Sequence, residues 1–332
     1  MLHGHGDHGG RVVADFSTNV WYGGEPSGLK EYLFGQWERI HHYPEVSGGS
    51  LATRAARHHG VSPGNILITN GAVESIYLLA QAFSGRRSAI VTPSFSEYED
   101  ACRMHAHQLT FIPWPDLDKQ QKLPELLWLG NPNNPTGAVI TNMEPLLQHH
   151  PDTLFVVDEA FIEFTRAIGS LTPLLARYPN LVILRSLTKS FTIPGLRLGY
   201  TMASPKIIHR LQSLKMPWSV NSLALAAGHF IFDNYTVIPL DQLLQNKDIF
   251  QQQLRALHLH IYESHTHYFL CRTEHGPVQE LQQYLLNERH IAIRNAENFR
   301  GLGPGHFRLA TRTSDQNQLL INALKEWSLP CA

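Results

Sequence analysis

Cysteine is scarce in this chain of 332 residues, which contains only Cys102, Cys271 and Cys331. The three lie far apart, so their spacing is typical neither of a disulfide framework nor of a zinc cluster. Nothing therefore indicates a small secreted domain stabilised by disulfides. We expect a globular protein of the cytoplasm that is held together by a hydrophobic core.

Membrane segments and an excess of charge are also missing. The longest apolar stretches are too short to span a membrane, and the first residues show no apolar signal region. Lysine and arginine number 27 against 28 acidic residues, so the charge balance points to neither nucleic acid nor an anionic membrane as partner. Hydrophobic residues make up 43%, which is enough for the cores of two domains.

A dinucleotide-binding loop is not supported either, although Gly4 to Gly9 matches the pattern G-x-G-x-x-G. That fingerprint follows a strand and opens a helix, whereas only three residues precede Gly4 here. A dehydrogenase is therefore a weak hypothesis. The histidines and the aspartate of this segment are potential metal ligands, but segments rich in glycine and histidine are usually flexible. We predict no metal site.

From residue 65 onward the chain alternates apolar runs with helical patterns. The apolar runs cover residues 65–69, 88–92, 108–112, 126–130, 154–157, 181–184 and 198–202. The helical patterns lie near residues 73–83, 96–106, 142–149 and 204–214. This order predicts an α/β fold with a mostly parallel, seven-stranded sheet flanked by helices.

Polar residues that follow these runs are candidate ligands, because such sheets bind small molecules outside the carboxyl ends of their strands. Gly71, Ala72 and Val73 open a helix, where free N–H groups attract an anion; an ordinary helix start explains them equally well. Phe95 offers an aromatic wall, although a single phenylalanine more often belongs to a core. Asp158 ends an apolar run, so it either caps a helix or needs a cationic partner.

Lys189 stands shortly after the apolar run 181–184. A lysine at such a place is a candidate for a lowered pKa and hence for an amine nucleophile, although most lysines are simply solvated. Ser186 lies three residues before it, Thr188 one before and Arg197 eight after. Hydroxyls and a guanidinium beside an amine suit a cofactor that carries both a phosphate and an aldehyde.

This stretch resembles the lysine motif of the fold-type I enzymes that depend on pyridoxal 5'-phosphate (PLP), the aminotransferase class I/II superfamily. The resemblance covers nearly the whole chain, including Asn-Pro-Asn-Asn-Pro-Thr-Gly at 131–137. It implies that Lys189 binds PLP covalently, that Asn134 donates to the phenolic oxygen and that Asp158 holds the pyridine nitrogen. The other implied cofactor contacts are Gly71, Ala72, Val73, Phe95, Ser186, Thr188 and Arg197. Tyr43 is implied to reach the phosphate from the other subunit of a homodimer.

The resemblance also implies how an anionic substrate binds. Arg308 matches the arginine that binds the substrate α-carboxylate, and Arg294 matches a phosphate-binding arginine of the branches with phosphorylated substrates. Arg312 alternates with Arg308 along a predicted strand and can share its face. A guanidinium fork suits carboxylate and phosphate alike. The remaining implied substrate contacts are His8, Ser17, Asn19 and Asn134.

Two branches of this family fit the chain. These are the L-threonine O-3-phosphate decarboxylases of cobalamin (vitamin B12) biosynthesis and the histidinol-phosphate aminotransferases of histidine biosynthesis. The segments 8–19 and 216–221, with Phe161 where the aminotransferases usually have tyrosine, resemble the first branch. We therefore expect decarboxylation to (R)-1-amino-2-propanol O-2-phosphate, with the aminotransferase as the alternative. The residues alone do not decide which bond breaks.

Two domains are expected from the patterning. Residues 36–215 form the large PLP-binding domain, and residues 1–35 with 216–332 form a small domain with an N-terminal arm. Strands of the small domain are predicted at residues 261–271, 291–295 and 307–312, before a final helix from Asp315. A PLP-binding regulator or an inactive scaffold is a further hypothesis, but the first 35 residues are not the basic DNA-binding domain that such regulators usually carry.

Overall fold

The computed structural model describes residues 12–257, 259–273 and 277–327. The strands are β1 (Ala14–Asp15), β2 (Ile66–Thr69), β3 (Arg87–Thr92), β4 (Gln108–Pro113), β5 (Leu126–Gly130), β6 (Leu154–Asp158), β7 (Leu181–Ser186), β8 (Gly199–Ala203), β9 (His260–Ile261), β10 (Tyr268–Arg272), β11 (Ile291–Ala292), β12 (Arg294–Asn295) and β13 (His306–Ala310). The helices are α1 (Leu29–Gly35), α2 (Gly49–His59), α3 (Gly71–Ala82), α4 (Glu97–Met104), α5 (Glu144–His149), α6 (Pro205–Gln212), α7 (Ser222–Asp233), α8 (Leu240–Arg255), α9 (Val278–Arg289) and α10 (Ser314–Trp327).

Seven strands form the large sheet in the order β2–β8–β7–β6–β5–β3–β4. Strand β8 runs antiparallel to its neighbours β2 and β7, and every other neighbouring pair in this sheet is parallel. The predicted α/β class and the mostly parallel seven-stranded sheet are therefore confirmed. Because β5, β6 and β7 run side by side in one direction, the residues at their carboxyl ends meet at one edge of the sheet.

Strand β7 shows why the apolar runs are continuous rather than alternating. Leu181 and Ile183 belong to the core on one face of the sheet, while Val182 and Leu184 belong to the core on the other face. Side chains alternate between faces along a strand, so a strand covered by helices on both sides must be apolar at every position. The run therefore ends where the site begins, at the buried Arg185 and Ser186.

A smaller antiparallel sheet has the order β12–β13–β10–β9 and packs against α8, α9 and α10. The predicted strand over 261–271 is in fact two strands, β9 and β10, separated by a turn. Ser264 and Thr266 cause the break, because their hydroxyl groups donate to the carbonyl oxygen of Tyr268 and replace part of the ladder. Strand β1 pairs with β11 and joins the N-terminal segment to this domain.

Two core clusters bear on the predicted division into domains. Leu29 of α1 and the apolar face of α7, including Ala224 and Leu225, lie in the core of the large domain. The separate small-domain core contains Phe16 and, after α7, begins with Phe250 of α8. Helical patterning shows that a helix has an apolar face but not which core receives it. The domain boundaries at residues 35 and 216 stay a prediction.

Among the described residues, no helix is both long and apolar enough to cross a membrane.

Candidate active site

A cavity of about 960 Å³ lies where the carboxyl ends of β5, β6 and β7 face the small domain. Gly130, Asp158 and Ser186, the last residues of those three strands, line it. Most of the predicted site residues line it as well: Ser17, Asn19, Ala72, Val73, Phe95, Asn134, Asp158, Ser186, Thr188, Lys189, Arg197, Arg294, Arg308 and Arg312. The fold thus brings together residues that are separated by almost 300 positions in the sequence.

Gly71 is adjacent to this lining and shapes one end of the cavity. Its φ is +77°, a left-handed conformation that glycine adopts without strain. A Cβ atom at this position would lie 2.8 Å from Nη2 of Arg197, so only glycine lets that guanidinium approach the start of α3. Ser186 and Thr188 complete the group, with their hydroxyl oxygens 2.7 Å apart. These residues together form a polar cradle at the positive end of a helix, which suits a phosphate.

Lys189 is half-buried between this cradle and the small domain. Burial lowers the pKa of its amine to about 8, and the positive charges of Arg308 and Arg197 act in the same direction, against the opposing effect of Asp158. Burial disfavours the charged form of the amine, and nearby cations disfavour it further. A substantial share of neutral amine near neutral pH is what a lysine nucleophile requires.

Asp158 is buried at the end of β6. Its Oδ2 accepts a hydrogen bond from the hydroxyl of Tyr98 at 2.8 Å, and its Oδ1 accepts one from the backbone N–H of Ala160 at 2.9 Å. Burial raises the pKa of this carboxyl group, while the two hydrogen bonds and Lys189 counteract the rise. A carboxylate held in one orientation without a full counter-charge suits a cationic group inside the cavity.

Arg308 is buried on β13 and faces the cavity from the small domain. Its Nη1 donates to Oδ1 of Asn134 and its Nη2 to the carbonyl oxygen of Ser17, each at 2.5 Å. Its Nε has no partner among the described residues. Burial, together with the charge of Arg294, lowers the pKa of Arg308 to about 9. Burial and a neighbouring cation both disfavour the charged form of Arg308, so an anionic ligand stabilises it.

Arg294, the second predicted substrate arginine, lies on the adjacent strand β12, directly opposite Arg308 in the strand register. Burial lowers its pKa to about 10. Its Nη2 donates to Oδ1 of Asn298 at 2.8 Å, and its guanidinium lies 5.0 Å from the centre of the Phe299 ring. Two guanidiniums on neighbouring strands create a strongly cationic wall opposite Lys189.

Arg312 differs from the other two arginines. It was predicted on the same strand as Arg308, but it lies two residues beyond the end of β13. It lines the cavity, and its guanidinium forms four hydrogen bonds to Asp15, Thr18 and Val20. Most of its donors are thus used within the protein. Whether it also contacts substrate stays a prediction.

Tyr43, a predicted cofactor contact, lies outside this cavity. Tyr43 is 86% exposed and packs its ring 5.5 Å from that of Trp218. It does not line the cavity of its own chain, and its contact with the cofactor phosphate of another subunit stays a prediction. His8 is not among the described residues.

Several residues that shape the site were not predicted from the sequence. Tyr98, the partner of Asp158, is one turn beyond Phe95, and only the fold brings its hydroxyl to the carboxylate. Trp21 and Thr192 line the cavity and are hydrogen-bonded to each other. One signal in the sequence could have identified Trp21 as a site residue: it is a large aromatic residue that closely follows the short polar residues 17–19.

The residues present fit PLP. The cradle around Gly71 suits its phosphate, the oriented carboxylate of Asp158 suits its pyridine nitrogen, and Lys189 lies between the two with a lowered pKa. The buried Nε of Arg308, which lacks a partner among the described residues, fits an anionic substrate on the opposite side. One cavity therefore offers a covalent anchor, sites for both ends of the cofactor and a separate anion site.

Comparison with known proteins gives one family over most of the chain. Residues 15–324 match the family described as aminotransferase class I and II. This span includes both domains and every described residue of the cavity wall from Asp15 onward. The match therefore concerns the whole arrangement and not only the lysine motif.

Individual relatives show how similar the chain is to members of two branches of this family. The chain is 36% identical to the threonine-phosphate decarboxylase of Salmonella typhimurium, with 94% of this chain and 90% of that protein covered. It is 38% identical to the solved L-threonine-O-3-phosphate decarboxylase of Porphyromonas gingivalis, with a TM-score of 0.92 and coverage of 95% and 99%. A histidinol-phosphate aminotransferase of Caldanaerobacter subterraneus is 30% identical, with coverage of 86% and 84%.

Proposed function

This chain belongs to the aminotransferase class I and II family, and we propose that it is the decarboxylase that converts L-threonine O-3-phosphate to (R)-1-amino-2-propanol O-2-phosphate. Its cofactor is PLP. The observation that carries the substrate class is the pair of guanidiniums on one wall of the cavity, those of the buried Arg308 and the half-buried Arg294. The choice of decarboxylation rests on the relatives of that name, which match with higher identity and greater coverage than the aminotransferase does.

When bound, PLP withdraws the electron pair of the bond that breaks at the substrate α-carbon. The cradle at Gly71, Ser186, Thr188 and Arg197 holds its phosphate. Phe95, which lines the cavity, would contact its ring, and the amide of Asn134, whose oxygen already accepts from Arg308, would donate to its phenolic oxygen.

Lys189 would hold the cofactor covalently through its amine. In the protein without ligands the pKa of this amine is lowered to about 8, so it can hold or release a proton near neutral pH. It is then placed to return a proton to the α-carbon, which leaves the product as an amine rather than a ketone.

Asp158 keeps a negative charge at the far end of the ring. Tyr98 and the backbone N–H of Ala160 fix both of its oxygens, so the carboxylate cannot rotate away. Its charge favours a protonated pyridine nitrogen, which is the form that accepts electrons best. The orientation is set before the cofactor arrives, so little reorganisation is needed during the reaction.

Arg294 and Arg308 would each bind one anion of the substrate. Arg308, next to Asn134, takes the carboxylate, and Arg294 lies near the phosphate. Loss of carbon dioxide removes the negative charge opposite Arg308, which weakens product binding and favours release. Threonine without phosphate is expected to be a poor substrate, because it lacks the phosphate group that Arg294 would bind.

The test is to supply threonine phosphate in one reaction, and histidinol phosphate with 2-oxoglutarate in another, to the PLP-loaded protein. We expect carbon dioxide and aminopropanol phosphate from the first and no glutamate from the second. Rapid glutamate formation, with no carbon dioxide from threonine phosphate, would instead identify a histidinol-phosphate aminotransferase. Plain threonine is the matched control for the phosphate, and its kcat/KM should be at least about a hundredfold lower.

A homodimer with shared sites is part of the proposal. Exposed apolar side chains are frequent in the segments of Tyr43 and Trp218, whose rings pack on each other, and the Trp218 N–H donates to the carbonyl oxygen of Val46 at 3.1 Å. The other exposed members are Phe34, Trp37, Ile40 and Met216. Exposed apolar surface of this kind is typical of a protein interface.

We also place the protein in the cytoplasm, since Cys102 and Cys271 are free thiols.

Mixing two inactive variants tests the shared site. Tyr43→Ala and Lys189→Ala each damage both sites of their own dimers, but a mixed dimer retains one intact site. After subunit exchange we expect about a quarter of the wild-type activity, because half the dimers are mixed and each has one working site of two. If exchange is demonstrated by mass spectrometry and activity stays absent, the sites are not shared.

A further inference from the structure

The segment from Asp15 to Trp21, which we name the N-terminal strap, crosses the cavity without forming a helix, and only Asp15 belongs to a strand. Each of its seven successive carbonyl oxygens accepts a hydrogen bond from elsewhere in the chain. The donors are Arg312 for Asp15, Thr18 and Val20, Ala310 for Phe16, Arg308 for Ser17, His267 for Asn19 and Thr192 for Trp21. An irregular segment whose every carbonyl is bound in this way is held in one conformation.

Arg312 supplies three of these seven contacts. Its Nε donates to the carbonyl oxygen of Asp15, its Nη1 to that of Val20 at 3.3 Å, and its Nη2 to both the carbonyl oxygen and the hydroxyl of Thr18, at 3.1 and 2.7 Å. An arginine has five N–H donors, so four of the five are committed to the strap. A residue with one remaining donor cannot form the two-pronged contact by which arginine binds a carboxylate or phosphate.

The backbone of Arg312 is itself fixed between two helices. Its N–H donates to Oδ1 of Asn317 at 3.0 Å, and its carbonyl oxygen accepts from Nδ2 of Asn246 at 2.7 Å. Asn317 and Asn246 are also bonded to each other at 3.2 Å. Both asparagines belong to helices of the small domain, α10 and α8, so Arg312 is a rigid anchor for the strap.

The strap in turn contacts the reacting part of the site at two points. The N–H of Trp21 donates to the carbonyl oxygen of Lys189, and the hydroxyl of Thr192 donates to the carbonyl oxygen of Trp21, both at 2.9 Å. At the other point, the carbonyl oxygen of Ser17 accepts from Arg308. The strap therefore links the arginine that faces the substrate to the loop that carries the lysine.

We infer that Arg312 is a positioning residue. It fixes the N-terminal strap, and through the strap it keeps Arg308 and the Lys189 loop in their positions relative to each other. The expected change in kcat rests on the proposed function, whereas the expected loosening of the strap does not. Without Arg312 three carbonyl oxygens lose their donor at once. The strap then loosens in the resting protein, before any substrate binds.

The test compares four variants of the PLP-loaded protein. Arg312→Gln removes the guanidinium. Thr192→Val removes the hydroxyl at the other end of the strap with little change in shape, and Thr192→Ser restores it. Arg289→Gln is the matched control, because Arg289 is an exposed arginine of the same domain that pairs with Glu326 on the surface.

Amide hydrogen exchange measured by mass spectrometry, without substrate, reports on the strap directly. The protected amides are those of Phe16, Ser17 and Trp21, which donate to Ala292, Asp15 and Lys189. We expect exchange in peptides that cover 15–21 to become about tenfold faster in Arg312→Gln and Thr192→Val, the size expected for loss of a structural hydrogen bond. Thr192→Ser and Arg289→Gln should exchange like the wild type.

Steady-state kinetics with threonine phosphate separate positioning from direct binding. We expect kcat to fall about tenfold or more in Arg312→Gln and Thr192→Val, with KM changed less than about threefold, and Thr192→Ser to recover the loss. A tenfold rise in KM, with kcat and strap exchange unchanged, would show that Arg312 binds substrate instead. If Arg312→Gln does not fold, Thr192→Val and Thr192→Ser decide: equal exchange and kcat in the two would overturn the inference. If the wild type releases no carbon dioxide, the proposed function fails, and the exchange data still decide whether Arg312 fixes the strap.

Discussion

The lowered pKa of Lys189 allows a quantitative prediction of the fraction of its amine that is neutral. A lysine in water has a pKa of about 10.4, so at pH 7 roughly 0.04% of it is neutral. With a pKa of about 8, the neutral share of Lys189 at pH 7 rises to roughly 9%. The site thus increases the reactive form of this amine by a factor of about 200, which corresponds to roughly 3 kcal/mol of destabilisation of the charged form.

Competitive acetylation of the cofactor-free protein measures this pKa. Trace acetic anhydride is added between pH 6 and 11, and mass spectrometry compares the Lys189 peptide with that of Lys206, an exposed lysine on α6. We expect the Lys189 labelling midpoint near pH 8. Arg308→Met should raise the midpoint because it removes a neighbouring cation, and Asp158→Asn should lower it because it removes the anion that stabilises the charged amine. A midpoint near 10, or a rise in Asp158→Asn, would refute the electrostatic account of this site.

Three further predictions concern the cofactor site. Borohydride reduction of the PLP-loaded protein should fix the cofactor to Lys189, and peptide mapping that finds the label on another lysine would show the anchor to be wrongly assigned. Asp158→Asn keeps the shape of the side chain but not its charge, so kcat should fall by about 10²-fold or more while circular dichroism stays unchanged. Gly71→Ala forces a Cβ atom to within 2.8 Å of Arg197 at a φ of +77°, and equilibrium titration should show PLP affinity about tenfold weaker; unchanged affinity would mean that the cradle does not hold the phosphate.

The predicted and observed elements agree best where the local signal is strong. The apolar runs of the large sheet give strand positions within one or two residues, because a strand buried on both faces must be apolar throughout. Agreement is poorer in the small domain, where the turn at Ser264 and Thr266 divides one predicted strand into two. The pattern of α7 predicts an apolar face but not the core that this face joins, and in the structure it packs with residues of the large sheet.

For the site, the residue types were apparent in the sequence, but their partners were not. Lys189, Asp158 and Asn134 stand out because each polar group directly follows an apolar strand or lies in a long motif. Their contacts with Tyr98 and Arg308 depend on how strands and domains come together.

Arg312 shows most clearly the difference between what the sequence determines and what the tertiary structure decides. The sequence by itself determined that an arginine stands four residues after Arg308, close enough to share a face and line the same cavity. Only the tertiary structure decided that this guanidinium binds the backbone of Asp15, Thr18 and Val20, nearly 300 residues away. The reason is physical: a guanidinium donates equally well to a ligand and to carbonyl oxygens, and the fold alone determines which acceptors lie within its reach.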